Sequence, residues 1–196
     1  MMKNTILTLC IMVLISCKDN RKEVQDTILL TEAEQSGTIS ESEKKKPLSP
    51  HTSTMVMIGD AHIHIDYSSP GVRDRIIFGG LVGYNIVWQA GAHNATWIET
   101  NKDLIFAGEV LPAGKYGFFT IPSKGDWTVM INKNWDQHGK DHYDEKDDMI
   151  RFKVTPTISE DIQEHLEYKI TKISDKLGVI SMHWEKVKIE LPFTIK

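Results

Sequence analysis

His62, His64 and Asp66 occupy alternate positions of one short stretch. In an extended strand such side chains fall on one face, each roughly 6.5–7 Å from the next. Neutral imidazole binds zinc, copper or nickel, so the pair is a candidate for metal ligation. A site of that kind needs a third donor from a neighbouring strand or loop, and His51 and His93 are the candidates. The competing reading is that the three residues form the wet side of a strand whose dry side is Ile63, Ile65 and Tyr67. No cofactor is predicted, with a divalent metal as the alternative.

Other chemistry finds less support. His138, Asp141, His142 and Asp144 sit in a polar stretch with Gly139, which opposes a helix that would stack the histidines. The alternating Asp, Asn and Gly pattern of a calcium loop is absent. No Gly-x-Ser-x-Gly elbow occurs, and Ser68-Ser69-Pro70 reads as the end of a strand. Sequence cannot place two of Glu99, Asp103 and Glu164 at the separations that sugar hydrolysis requires. Both cysteines, Cys10 and Cys17, lie at the start, so nothing later offers a thiol nucleophile or a zinc-thiolate site. Formal net charge is -4 without a long basic block, which disfavours nucleic acid as a partner. No catalytic residue is assigned.

The five tryptophans are Trp88, Trp97, Trp127, Trp135 and Trp184. Trp127 and Trp184 lie in alternating stretches and read as core. Trp135, between polar neighbours, is the best candidate for a partly exposed ring able to stack on a sugar or another planar ligand. Trp88 precedes a turn containing Gly91, where backbone can approach something closely. The candidate ligand-binding set is therefore Tyr67, Arg73, Arg75, Trp88, His93, Asn94 and Trp135. A turn that merely locks two sheets together would use the same residues.

These side chains must be positioned by strands. From Ser49 onward short apolar runs alternate with Gly, Pro, Asp and Asn. Strands are predicted over 52–58, 62–68, 96–100, 103–106, 115–121, 127–132, 149–155, 167–173, 179–184 and 186–195. Gly59-Asp60, Asn101–Asp103 and Ser174–Lys176 are expected to close hairpins. Residues 136–148 are the longest polar connection. No stretch keeps helical spacing. The fold class is all-β, an antiparallel β-sandwich of about 8–10 strands spanning residues 49–196.

The first sixteen residues carry Lys3 and then an apolar run from Ile6 to Ile15. About ten residues are too few to span a bilayer, which needs about 20, but suit an export signal. Leu14-Ile15-Ser16-Cys17 resembles the lipobox of bacterial lipoproteins, so Cys17 is the expected lipid attachment site. Lys18-Asp19-Asn20 resembles part of a surface-export signal, which leaves periplasm-facing and surface-exposed anchoring both open. Residues 17–48, without an aromatic, are expected to form a disordered tether. The expected location is the cell envelope, at the outer membrane, with the membrane as a partner through the anchor.

Three stretches carry a further resemblance: His64-Ile-Asp-Tyr-Ser-Ser-Pro-Gly-Val-Arg-Asp-Arg75, Ile77-Phe-Gly-Gly-Leu-Val82 with Trp88-Gln-Ala-Gly-Ala92, and Leu111-Pro-Ala-Gly-Lys-Tyr116 with Phe119-Thr-Ile-Pro122. Together with Asp126-Trp-Thr-Val, Asn132-Lys-Asn-Trp135 and Trp184-Glu-Lys, they resemble domain-of-unknown-function family 2911, found largely in Bacteroidota envelope proteins. The resemblance implies an exported β-rich domain and no activity. Gln89, His93 and Asn94 stand where that family usually has Arg, Asn and Glu. Asp74-Arg75 stands where it has Gly-Arg. The expected role is a ligand-binding or interaction module whose partner is a small molecule, a glycan or an envelope protein. The alternatives are a structural envelope component without a pocket and a metal-dependent enzyme using His62 and His64.

Overall fold

The computed structural model of the chain describes residues 47–196. The expected signal, Cys17 and nearly all of the tether lie outside the described residues. Ten strands run β1 (His51–Ile58), β2 (Ala61–Ser68), β3 (Thr96–Thr100), β4 (Leu104–Phe106), β5 (Glu109–Leu111), β6 (Gly114–Ile121), β7 (Trp127–Asn132), β8 (Asp148–Val154), β9 (Thr157–Lys172) and β10 (Leu177–Ile195). They form a six-stranded sheet, β1-β2-β3-β6-β7-β8, and a four-stranded sheet, β5-β4-β10-β9. Every strand pairing is antiparallel, so the predicted fold class holds. The only helical turn among the described residues is a 3-10 turn, Glu145–Asp147. None of their helices is long and apolar enough to cross a membrane.

Alternation explains the core between the sheets. Ile63, Ile65 and Tyr67 of β2, Ile98 of β3, Phe118 of β6 and Trp127, Val129 and Ile131 of β7 point inward. They meet Leu166 and Tyr168 of β9 and Ile180, Met182, Trp184, Ile189, Leu191 and Phe193 of β10. On β10 the buried positions are even-numbered up to Trp184 and odd-numbered from Ile189. A strand changes phase in this way only by gaining a residue, and the register shifts on either side of Glu185 supply it. Glu185 adopts φ 55°. The sequence pattern suggests two strands here because a bulge interrupts alternation without interrupting the strand.

Three further differences have physical causes. Residues 101–103 do not close a hairpin, because β3 belongs to one sheet and β4 to the other. β9 begins ten residues before the predicted start, in polar sequence such as Ser159-Glu160-Asp161. Pairing with β10 makes that edge segment extended, not burial. β5, three residues long, is too short to show a pattern. The Gly59-Asp60 hairpin does form, with Gly59 at φ 58°. A Cβ there would lie 2.8 Å from the Asp175 carbonyl oxygen, so the first hairpin touches the β9–β10 turn.

The outer face of the six-stranded sheet is divided. Over β6 and β7 it is dry: Ala95, Phe119 and Met130 form a second small core, joined by Val87, Ile121 and Tyr143. All six residues of β7 are consequently buried. Over β1 and β2 the outer residues other than Ser68 are partly or fully exposed.

Candidate functional site

The two long connections of the domain build two of its recesses, a third lying on the outer face of β9 and β10. Residues 69–95, between β2 and β3, are pinned at several points. Ser69 Oγ donates to the Leu166 carbonyl at 2.7 Å, and the Val72 N–H donates to the Glu164 carbonyl at 2.7 Å. The buried Ser69 is thus a structural anchor. Further on, Trp88 exchanges two backbone hydrogen bonds with Thr120 of β6, at 2.8 and 2.9 Å.

Ala90 follows in the left-handed region, at φ 53°, although it is fully buried and carries a Cβ. Its carbonyl accepts from Tyr168 Oη at 2.7 Å and from Thr96 Oγ1 at 3.0 Å. Those bonds hold a backbone conformation that L-residues avoid. At Gly91 a Cβ would stand 2.7 Å from Thr96 Oγ1, which explains the glycine. His93, at φ 60°, is left-handed as well. Of the seven non-glycine residues with positive φ in the described chain, Arg73, Asp74, Asn85, Ala90 and His93 lie in this connection.

The strained segment separates two recesses. One is a cleft of about 360 Å³ with Trp88 and Trp184 in its lining and Leu81, Val82, Ile86, Val87, Gln89, Ala92, His93 and Lys140 around them. Trp88 and Trp184 stack at 5.8 Å with Phe78 edge-on to both. Trp88 Nε1 donates to the Gly91 carbonyl at 3.0 Å. Leu81 and Ile86 are 52% and 51% exposed, so the cleft has greasy lips. The other recess is a groove of about 500 Å³ that includes His51, Asp66, His93, Asn94, Trp97, Trp135 and Asp136. Only His93 lines both.

The sequence-predicted binding residues therefore divide. Trp88 and His93 line the cleft, while Tyr67, His93, Asn94 and Trp135 line the groove. The Tyr67 hydroxyl accepts from the Tyr168 N–H at 3.2 Å, and burial raises its pKa. Burial raises Tyr168 still further, so both phenols stay neutral. Arg73 and Arg75 line neither recess. Arg75 folds back onto its own turn, donating to the Gly71 and Val72 carbonyls at 2.6 and 3.1 Å.

Trp135 is half-buried, 6.3 Å from Trp97, and the Lys115 ammonium sits 3.5 Å from the Trp97 ring centre and 3.8 Å from that of Trp135. Such cation–π contacts contribute about 0.5–1 kcal/mol each at exposed sites. The groove's aromatic faces are thus already in use by the chain itself.

The expected histidine cluster does not assemble. His93 lies in the groove beside Asp66 and Ser68, whereas His62 lies four to six residues further along β2, roughly 13–20 Å away. His51 Nε2 pairs with Asp66 Oδ1 at 2.8 Å, which occupies both groups. Among the described residues no three His, Cys, Asp or Glu side chains could share a metal ion. His138, Asp141, His142 and Asp144 are exposed, as expected of a solvated loop.

The lips Leu81 and Ile86, the rim cation Lys140 and the Trp184 wall escaped the sequence reading. The one available signal was the apolar pair Leu81-Val82 enclosed by Gly79-Gly80 and Gly83, too many large apolar residues for an idle loop.

The fold and these recesses define a β-sandwich with a loop-built cleft. The chain belongs to the family described as "Protein of unknown function (DUF2911)", whose profile matches residues 49–193. No curated protein and no solved structure matches it.

Proposed function

We propose that this domain is a binding module for a small amphiphile, seated in the cleft between Leu81, Ile86, Trp88 and Trp184. The carrying observation is a recess of about 360 Å³, within the size range of ligand pockets, beside a segment of strained backbone. Its apolar lining calls for an apolar ligand body. Gln89, His93 and Lys140 at the rim favour a hydrogen-bond-accepting or anionic end, and Lys140 forms no ion pair within the described chain. A structural role without a pocket leaves both the exposed lips and the strained backbone unexplained. The module would work in the cell envelope, held to the outer membrane through acylated Cys17 and a slack tether. The leader and its lipobox-like Cys17 support that location.

Decanoate and decanol test the reading, because they share an apolar chain and differ in charge at one end. Saturable one-to-one binding is expected in calorimetry, tighter for decanoate. Ile86→Asp should weaken both at least tenfold, and Lys140→Ala should erase the preference for decanoate. Binding that never saturates, or that ignores Ile86→Asp, refutes the assignment.

A further inference from the structure

The bare half of the six-stranded sheet carries four side chains with related chemistry. In the β1–β2 hairpin Met57 faces His62, and Met55 faces His64. Facing residues of an antiparallel pair share a face, and all four point away from the core, since Ile63 and Ile65 point inward and are fully buried. The Cβ atoms therefore mark a rectangle of roughly 5 by 7 Å, with two thioethers along one side and two imidazoles along the other. The imidazole ring centres are 6.2 Å apart.

Two observations set these residues apart from an ordinary wet face. Met55 and Met57 are 60% and 53% exposed, and such exposure of two large apolar side chains serves no packing purpose. His64 Nε2 is one of four buried side-chain polar atoms among the described residues without a hydrogen-bond partner, so the chain leaves it unsatisfied, and a turn of the ring would bring a nitrogen to the open face. The ring is held edge-on by Trp97 at 4.9 Å.

We infer that Met55, Met57, His62 and His64 form a binding site for a soft monovalent metal ion, cuprous copper. Thioether sulfur suits Cu(I) and is a poor ligand for zinc, magnesium and calcium. Glu99 faces His64 across the β2–β3 pair, but no three His, Cys, Asp or Glu side chains among the described residues could share an ion, so the two thioethers are needed to complete a site. Asp66, the nearest carboxylate on β2's outer face, is paired with His51. Methionine is unbranched and its exposed chain is free to turn, so the sulfurs can reach an ion over the rectangle without backbone movement. The site shares no residue with the cleft, so its test does not depend on what the cleft binds.

The test uses the full chain carrying Cys10→Ser and Cys17→Ser in every arm, so that no thiol competes for the metal. Under anaerobic conditions Cu(I) is titrated against the chromogenic chelator bicinchoninate. One Cu(I) per chain should be withdrawn from the chelator. Met55→Leu/Met57→Leu and His62→Gln/His64→Gln should each weaken that affinity at least tenfold. The methionine variant should melt unchanged because both side chains are exposed, and the histidine variant, which loses the His64–Trp97 contact, should still unfold in one cooperative transition. Zn(II) in a parallel titration should bind at least tenfold more weakly than Cu(I). No uptake of Cu(I), undiminished uptake by the methionine variant, or equal affinity for Zn(II) would each overturn the assignment.

Discussion

Residues 133–147 and residues 69–95 are the two long connections of one sandwich; they touch where the Gly139 N–H donates to the His93 carbonyl at 2.7 Å, and elsewhere they are held by different means. The first is polar and stitched by its own side chains. Asn132 Nδ2 donates to the Asp144 carbonyl and to Asp148 Oδ1, both at 2.8 Å. Asn134 Nδ2 donates to Asp147 Oδ2 at 2.8 Å, Gln137 Oε1 accepts from the His142 N–H at 2.8 Å, and Tyr143 Oη donates to Asp148 Oδ2 at 2.9 Å. The second connection tucks Val72, Ile77, Phe78, Val82, Trp88 and Ala90 into the main core and holds five non-glycine residues at positive φ. It also leaves Ile76, Leu81 and Ile86 exposed. A loop held mainly by polar side-chain hydrogen bonds has little unmet demand, whereas one that combines strain with exposed apolar surface has a reason to meet a ligand.

The largest test of this contrast is Trp88→Ala. The ring is 7% exposed and lies against Phe78 and Trp184, so its removal should cost about 3–5 kcal/mol in thermal or denaturant unfolding. The sequence reading treats Trp88 as a binding residue; the packing makes it first a core residue that also lines the cleft. A variant that melts like the parent protein would remove Trp88 from the core and reopen the simpler reading.

Asn132→Ala probes the polar connection. It leaves two part-buried acceptors and the Asn134 N–H without their partner and should cost about 1–3 kcal/mol. Amide exchange should quicken within 133–147 and stay unchanged within 76–87. Equal quickening of both segments would show that the two connections are one cooperative unit. Arg73→Gly is the smallest and has the opposite sign. Arg73 is exposed at φ 49°, where glycine pays no steric penalty, and relief of that strain outweighs glycine's extra unfolded-state entropy, so stability should rise by up to about 1 kcal/mol. Destabilisation there would mean that the backbone strain is not stored where the dihedral angles place it.

Much of the fold was legible because burial is periodic. The inward series Ile63, Ile65 and Tyr67, and its counterpart Trp127, Val129 and Ile131, can be read directly from alternation. Trp184 and Ile189 show the same rule with a phase change, which becomes intelligible once the bulge at Glu185 is seen. The first half of β9 was illegible, since its residues are polar and only a partner strand keeps them extended. The candidate site was legible in part. The predicted turn points to His93, which does line both recesses, while Arg75, predicted with it, spends its guanidinium on its own backbone.

What the residues alone determine is the identity of each strand's dry face, since a period of two needs no partner to be read. They also determine where a turn must form, as at Gly59-Asp60. Which strands become neighbours is a different question, because many pairings satisfy the same alternation. Only the tertiary structure sets Met55 opposite His64 and Met57 opposite His62, and only it sends Asn101–Asp103 across to the second sheet. The cleft belongs to that category too: its walls come from Leu81, Trp88, Lys140 and Trp184, and residues so far apart in the chain meet only when the sheets close on a shared core.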